Sequence, residues 1–214
     1  MAIAPREEGR SEVRFGARER ILRSMVCSVA GRGYEAAEVP DVIEMAGVPQ
    51  ATFDRFFSDK DDCVLAAYDY VIDRILERVA AAYELGAAGS WSEGVRRGLE
   101  ALLGAIAEQP AAARMALVEV PPISPEAHAR YRAALERLAM LLRGGREYMG
   151  LDEEPPPQVE LMALGGAEVI LVDEVSAGRA DQLPGRMPEI LFAILVPYLG
   201  PEDAATEMHA AAAA

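Results

Sequence analysis

The chain is poor in the residues on which metal and acid–base chemistry usually rest. Its 214 residues include two cysteines (Cys27 and Cys63), two histidines (His128 and His209) and one tryptophan. Two cysteines cannot build a disulfide framework or a four-thiolate zinc site, and they suit a reducing compartment. One internal histidine, with no nucleophile–base pair in the pattern, leaves no metal, cofactor or enzyme activity to expect. Aromatic residues are 6%, too few for a platform that stacks single-stranded bases. Long apolar runs are missing too. The best candidates, Leu161–Val172 and Ile190–Leu199, contain Glu168 and Pro197 and fall short of the ~18 apolar residues of a membrane helix. The opening MAIAPREEGRSEVRFGARER is charged and lacks the apolar stretch of a signal peptide. These absences read as a soluble, cytoplasmic chain with no membrane partner. Positive charge is also scarce. Lys+Arg is 21 against Asp+Glu 35, a formal charge of -14. Any DNA binding must therefore come from a local patch working against the overall field.

Hydrophobic residues make up 51%, enough for a core, and their spacing is helical nearly throughout. Ile21, Leu22, Met25, Val26 and Val29 share one face of a first helix, with Cys27 near that face and read as core. A short second helix spans about Val39–Ala46, with Pro40 in its first turn and Gly47 after its end. A third lies within Gln50–Phe57. Ser58 or Asp59 then caps a long helix bearing Val64, Leu65, Tyr68, Val71, Ile72, Ile75, Leu76 and Val79, with Cys63 as a buried structural thiol. Ser90 and Glu93 form a capping box, and Ser124-Pro125-Glu126 opens a further helix to about Tyr148. The acidic, proline-rich break 152–157 precedes two final helices near Val159–Ala177 and Leu183–Leu199. No alternating strand pattern occurs. The predicted class is all-α with about nine helices: a flexible arm (1–14), a helix-turn-helix domain (15–62), a helical ligand-binding and dimerisation body (63–202) and a disordered Ala-rich tail (203–214).

Two short helices joined by the tight Ala46-Gly47-Val48 turn can present the second helix to a major groove, although such corners also serve purely as structure. Here the residues carry more. ERIL at Glu19–Leu22, GRGYEA at Gly31–Ala36 and VPDVIEMAGVPQATFDRFFSDKDD at Val39–Asp62 resemble the N-terminal domain of the TetR family of bacterial transcriptional regulators. The turn, Thr52-Phe53, Phe57 and Lys60 stand at the family's places. LGGAEVILVDEVSAGR and LPGRMPEILFAILVPYLGPEDA resemble the last two helices of many members.

The resemblance implies a ligand-responsive regulator, usually a repressor, that binds a palindromic DNA operator as a homodimer and is released by a small apolar effector. It places DNA contacts at Gln50, Ala51, Thr52, Asp54, Arg55, Phe56 and Lys60. It places an effector pocket among Trp91, Leu103, Met115, Val118, Glu119, Tyr131 and Met162. It places a dimer seam at Gly165, Gly166, Val169, Ile170, Ile190, Leu191, Ile194, Leu195 and Tyr198.

The sequence departs from the family pattern at Glu38, Pro49, Asp54 and Phe56, where donors to phosphate are usual. Residues 1–62 hold nine bases against twelve acids, a net -3, whereas a DNA reader is normally positive there. Residues 6–32 hold seven Arg against four Glu, so the arm can supply phosphate contacts. Two placements of Asp54 stand open: facing phosphate, or paired locally with Arg55 or Arg18. The alternative function is a small-molecule-binding or interaction protein on the same scaffold with weakened or lost DNA binding.

Overall fold

The computed structural model describes residues 16–151 and 153–212, and among these residues helices alternate with short turns and no strand occurs. The arm 1–14 lies outside them. Helix α1 (Ala17–Arg32) buries Ile21, Leu22, Met25, Val26 and Val29, the face its periodicity predicts. Cys27 is the exception, because it points to solvent rather than into the core. Helix α2 (Val39–Ala46) ends at Gly47, whose φ is 61°. That left-handed backbone favours a residue without Cβ. The Gly47 N–H bonds the Glu44 carbonyl and the Val48 N–H bonds the Ile43 carbonyl, both at 3.1 Å. This paired pattern stops the helix and fixes the sharp turn into α3 (Gln50–Phe53).

Helix α4 (Lys60–Ala87) has 28 residues. At ~1.5 Å per residue it spans about 42 Å. Asp59 caps it, accepting from the Asp62 N–H at 2.9 Å. Its first half completes the core of α1–α3 through Val64, Ala67, Tyr68 and Val71. Its second half enters the body. There α5 (Trp91–Glu108) and α7 (Pro125–Leu142) begin at Ser90 and Ser124, each accepting from the N–H three residues on at 3.1 Å. Helix α6 (Pro110–Arg114) runs straight into a π-helical turn, Met115–Glu119. The C-terminal end of α7 tightens into a 3-10 turn, Arg143–Tyr148.

Helix α8 (Val159–Ser176) and helix α9 (Met187–Ala212) pack with α5 around a second core of Leu103, Leu171, Leu183, Ile190, Leu191 and Leu195. Gly200, at φ 77° and followed by Pro201, breaks the last helix. The disordered tail expected at 203–214 is instead ordered as far as the described residues reach. Residues 201–212 are helical, Ala204 is fully buried, and Ser92 donates to Glu207 at 2.8 Å. Alanine's high helix propensity and this side-chain tie hold the segment against the second core. No helix among the described residues is long and apolar enough to cross a membrane.

Candidate functional site

Two places have the shape of a site: the outer face of the helix-turn-helix and a cavity between the two cores. The first is built by α1. The Arg20 Nε donates to the Ala46 carbonyl at 3.0 Å, pinning the end of α2 just before the turn. Phe53 and Phe57 are buried, their ring centroids 5.4 Å apart, so the face of α3 opposite them must point outward. Gln50, Ala51, Asp54, Arg55 and Phe56 lie exposed there, with Thr52 half-buried. A major groove would meet these side chains.

The electrostatics of that face are unusual for a DNA reader. The Gln50 Nε2 donates to Asp54 Oδ1 at 2.7 Å. The side chain best suited to adenine thus already commits a donor to its neighbour. Asp54 therefore pairs with Gln50, one turn back, rather than with Arg55 or Arg18. Arg18 instead lies over the Phe57 ring and Arg55 over Phe56. Arg32 forms an ion pair with Asp41. Lys60 points its ammonium at the Tyr34 carbonyl, 3.1 Å away, and stands 4.4 Å above the Tyr34 ring. The Tyr34 hydroxyl donates to Asp61, which pushes its pKa up to about 12. Lys60 thus ties the α1–α2 loop to the start of α4 as well as adding charge. From Tyr34 to Asp62 there are two bases, Arg55 and Lys60, against eight acids, a net -6.

The cavity lies deeper. It measures about 90 Å³ and is walled by α4 (Tyr68, Ile72, Ile75, Leu76), α5, α6, the π-helical turn, α7, α8 and Ile194 of α9. Apart from Tyr68, Tyr131 and Glu168, every lining side chain is Ala, Leu or Ile. The Tyr131 hydroxyl donates to Glu168 Oε1. Burial pushes the Tyr68 and Tyr131 hydroxyls up, so both stay protonated across the physiological range; the Glu168 bond adds to the rise at Tyr131.

The sequence-predicted pocket meets this cavity at one residue, Tyr131. Leu103 and Met115 are buried in the two cores beside it. Trp91 packs into an aromatic cluster with Tyr148 and Tyr198, at centroid distances of 5.5 and 5.0 Å. Val118 is half-buried against the second core. Glu119 pairs with Arg114 at 2.9 Å. Met162 is 74% exposed on the outer face of α8. The residues that do line the cavity, Tyr68 and Glu168 above all, were missed. Glu168 had a signal, as the lone acid in the apolar run Leu161–Val172.

The dimer seam expected from the sequence divides as well. Ile190, Leu191, Ile194, Leu195 and Tyr198 are core of their own chain and cannot face a partner. Ile170 is half-buried against that core. Gly166 and Val169 are exposed, with Val169 at 69%, Gly165 half-exposed beside them and Met162 one turn away. The two glycines leave open space where a Cβ would stand.

A family model described as bacterial regulatory proteins, tetR family, matches residues 28–67. No curated protein matches the chain. Among solved structures, the fatty acid degradation regulator FadR of Bacillus halodurans aligns over 83% of this chain and 97% of its own, with TM-score 0.72 and 18% identity. FadR of Bacillus subtilis, solved with stearoyl-CoA, aligns over 84% and 98%, with TM-score 0.73 and 16% identity. The TetR-family regulator PfmR of Thermus thermophilus aligns over 85% and 97%, with TM-score 0.60 and 23% identity. At such identities the likeness is one of fold.

Proposed function

We propose that this chain, TetR-type in its fold and in its helix-turn-helix domain, is a transcriptional regulator that binds a palindromic operator as a homodimer and responds to a small, mostly apolar effector. The observation that carries this reading is the double duty of α4. Its N-terminal end closes the core of the helix-turn-helix, and Tyr68, Ile72, Ile75 and Leu76 further along wall the cavity. A molecule that enlarges the cavity must displace that wall, and the displaced helix carries the DNA-reading face with it. A ligand that fits one position of α4 better than another shifts the balance between DNA-competent and DNA-released forms by that difference in affinity. The family resemblance favours repression as the sign of the response, with the empty form bound to DNA.

The homodimer would form on the outer face of α8, where Met162, Gly166 and Val169 lie exposed. Small residues there allow two helices to approach closely. The seam is thus narrower than the sequence implied, and each subunit's own core supplies its rigidity.

A second reading has an observation of its own. The net -6 between Tyr34 and Asp62, together with the Gln50–Asp54 bond, favours a ligand-binding or interaction protein that has given up DNA. Selection from a pool of random duplexes with the purified chain at low salt separates the two. Enrichment of a palindrome with half-sites about one DNA turn apart (~34 Å) supports the regulator. A pool that stays random at low salt overturns it in favour of the second reading.

A further inference from the structure

The polar side chains of the cavity wall are Tyr68, Tyr131 and Glu168, set in an otherwise hydrocarbon surface. Tyr68 is 1% exposed, and its hydroxyl is buried with no hydrogen-bond partner. A buried hydroxyl left unpaired is costly and uncommon. Tyr131 lines the same wall, near enough that Tyr68 opposes its ionisation. Its own hydrogen goes to Glu168 Oε1. Among the described residues no Arg, Lys or His lines the cavity. The wall therefore offers one unused donor, on Tyr68, and unused acceptor positions on Glu168 and the two phenols.

From this arrangement we infer the chemical class of the effector: a compact apolar molecule with a single hydroxyl or amino head that donates a hydrogen bond to Glu168 while meeting the Tyr68 hydroxyl, and not an anion. The inference rests on the cavity being the effector site of the proposed regulator. A hydroxyl head accepts from Tyr68 and donates to Glu168, which satisfies both. An ammonium head donates to Glu168 and gains the carboxylate's charge, and it meets the Tyr68 oxygen only as a donor, so the Tyr68 hydrogen stays unpaired. A carboxylate or phosphate head would be set against Glu168 in a low-dielectric wall with no cation to offset it. Size points the same way. The cavity's volume is about 90 Å³. A cavity of ~150 Å³ holds benzene. Sites for drug-sized ligands begin at ~300 Å³. A single ring with a short head is the natural scale, with modest widening of the wall. A long-chain acyl thioester of coenzyme A, such as the stearoyl-CoA bound to the Bacillus subtilis regulator, exceeds this cavity in size and brings phosphates for which it has no counter-charge.

The test uses the full chain and four matched probes: cyclohexylmethanol, cyclohexylmethylamine, cyclohexanecarboxylate and methylcyclohexane. Affinity is read by titration calorimetry and by thermal shift. The alcohol and the amine should bind. The carboxylate should bind weaker by about 10²-fold or more, as a site built to pair a donor rejects a head that cannot supply one. Tyr68→Phe should weaken the alcohol about tenfold or more. Glu168→Gln should weaken the amine more than the alcohol, which separates the contribution of charge from that of the hydrogen bond. Both variants are nearly isosteric, and their circular dichroism should match the parent. A carboxylate that binds as tightly as the alcohol, a hydrocarbon that equals it, variants with unchanged affinities, or a series in which nothing binds would each overturn the inference. Release from the selected operator is measured separately. Binding without release refutes the regulatory reading and leaves the ligand class standing. Release by the carboxylate, abolished by filling the cavity through Ala134→Leu, refutes the ligand class and leaves the regulatory reading standing.

Discussion

On the proposed reading, Asp54 holds DNA affinity down, and two substitutions separate the ways in which it does so. Asp54→Asn keeps an oxygen that can accept from Gln50, as Oδ1 does now at 2.7 Å, but removes the charge. Asp54→Ala removes the charge and frees the Gln50 amide. A unit charge about 7 Å from a phosphate in water interacts with it by ~0.6 kcal/mol. At physiological salt, with a Debye length of about 8 Å, roughly half of that survives. With two or three phosphates near each half-site and two half-sites in the operator, the Asn variant should bind about 5–20-fold tighter, at ~1.4 kcal/mol per tenfold. The Ala variant should add a sequence-dependent gain wherever the freed Gln50 meets adenine, a contact worth ~1–3 kcal/mol. Fluorescence anisotropy with the selected operator, titrated from low to high salt, reads both. The Asn gain should shrink as salt rises, while the excess of the Ala gain over the Asn gain should persist and vanish on an operator changed at the Gln50 base. An Asn variant that binds no tighter at low salt, or a gain that ignores salt, would refute the placement of Asp54 beside the phosphates.

Other expectations concern the body. A Cβ on residue 145 would overlap Trp91 Cζ2 and stand 2.7 Å from Tyr198 Cδ1. Gly145→Ala should therefore destabilise the chain by about 1–3 kcal/mol; an unchanged urea midpoint would contradict this. Val169→Glu should turn the proposed homodimer into a folded monomer, read by light scattering with circular dichroism as control, and a persisting dimer would remove α8 from the seam. Glu160 is 3% exposed and accepts from Arg146 Nε at 2.5 Å and Nη2 at 3.0 Å, and these bonds hold its carboxyl below the usual carboxylate range. A lowered folded pKa stabilises above the unfolded value and is lost as pH falls through the folded one. Urea midpoints should therefore fall below pH ~4.5. Glu160→Gln should flatten that fall while lowering stability at neutral pH.

Local signals made the helix-turn-helix and the helix starts legible. Gly47 in its left-handed turn, Pro40 in the first turn of α2, and Ser90 and Ser124 as caps act through backbone atoms a few residues away, so a sequence displays them in full. The cavity and the seam are set by which helices meet, and there the pattern is ambiguous. Helix α9 is apolar on nearly every face between Ile190 and Tyr198, so periodicity cannot say which face turns inward. The fold commits Ile190, Leu191, Ile194, Leu195 and Tyr198 to its own core. Met162 reads as a pocket residue by its type, yet its place on α8 turns it outward, while Glu168 on the same helix turns toward Tyr131. Met115 and Trp91 fill cores next to the cavity rather than lining it, a difference of one helical face that hydrophobicity does not encode. The tail 203–212 looked unanchored because its tether, Ser92, lies more than a hundred residues away.

On the proposed reading, the π-helical turn after α6 is a second route by which the cavity would act on the helix-turn-helix domain. Within five residues, Ala116 and Leu117 stand on the cavity wall while Met115 is buried in the core shared with α1. Val120, directly after the turn, is buried there as well. An extra residue in a helical turn weakens its regular hydrogen bonding, and such turns recur at functional sites. This segment is therefore the wall most able to yield, and what it moves is α1, whose Arg20 pins the end of α2 at the turn. The magnitudes are comparable. Moving a two-state equilibrium from 1:99 to 99:1 needs about 5.5 kcal/mol of differential affinity. A ring of six carbons buried in the widened form but excluded from the closed one supplies ~0.8 kcal/mol per carbon, or about 5 kcal/mol in all. A ligand that fits the closed cavity unchanged gains nothing from the widening and shifts nothing, however tightly it binds. On the proposed reading the small size of the resting cavity is thus a condition of the response, because the work of opening would couple apolar burial inside the body to the position of α1 and α4.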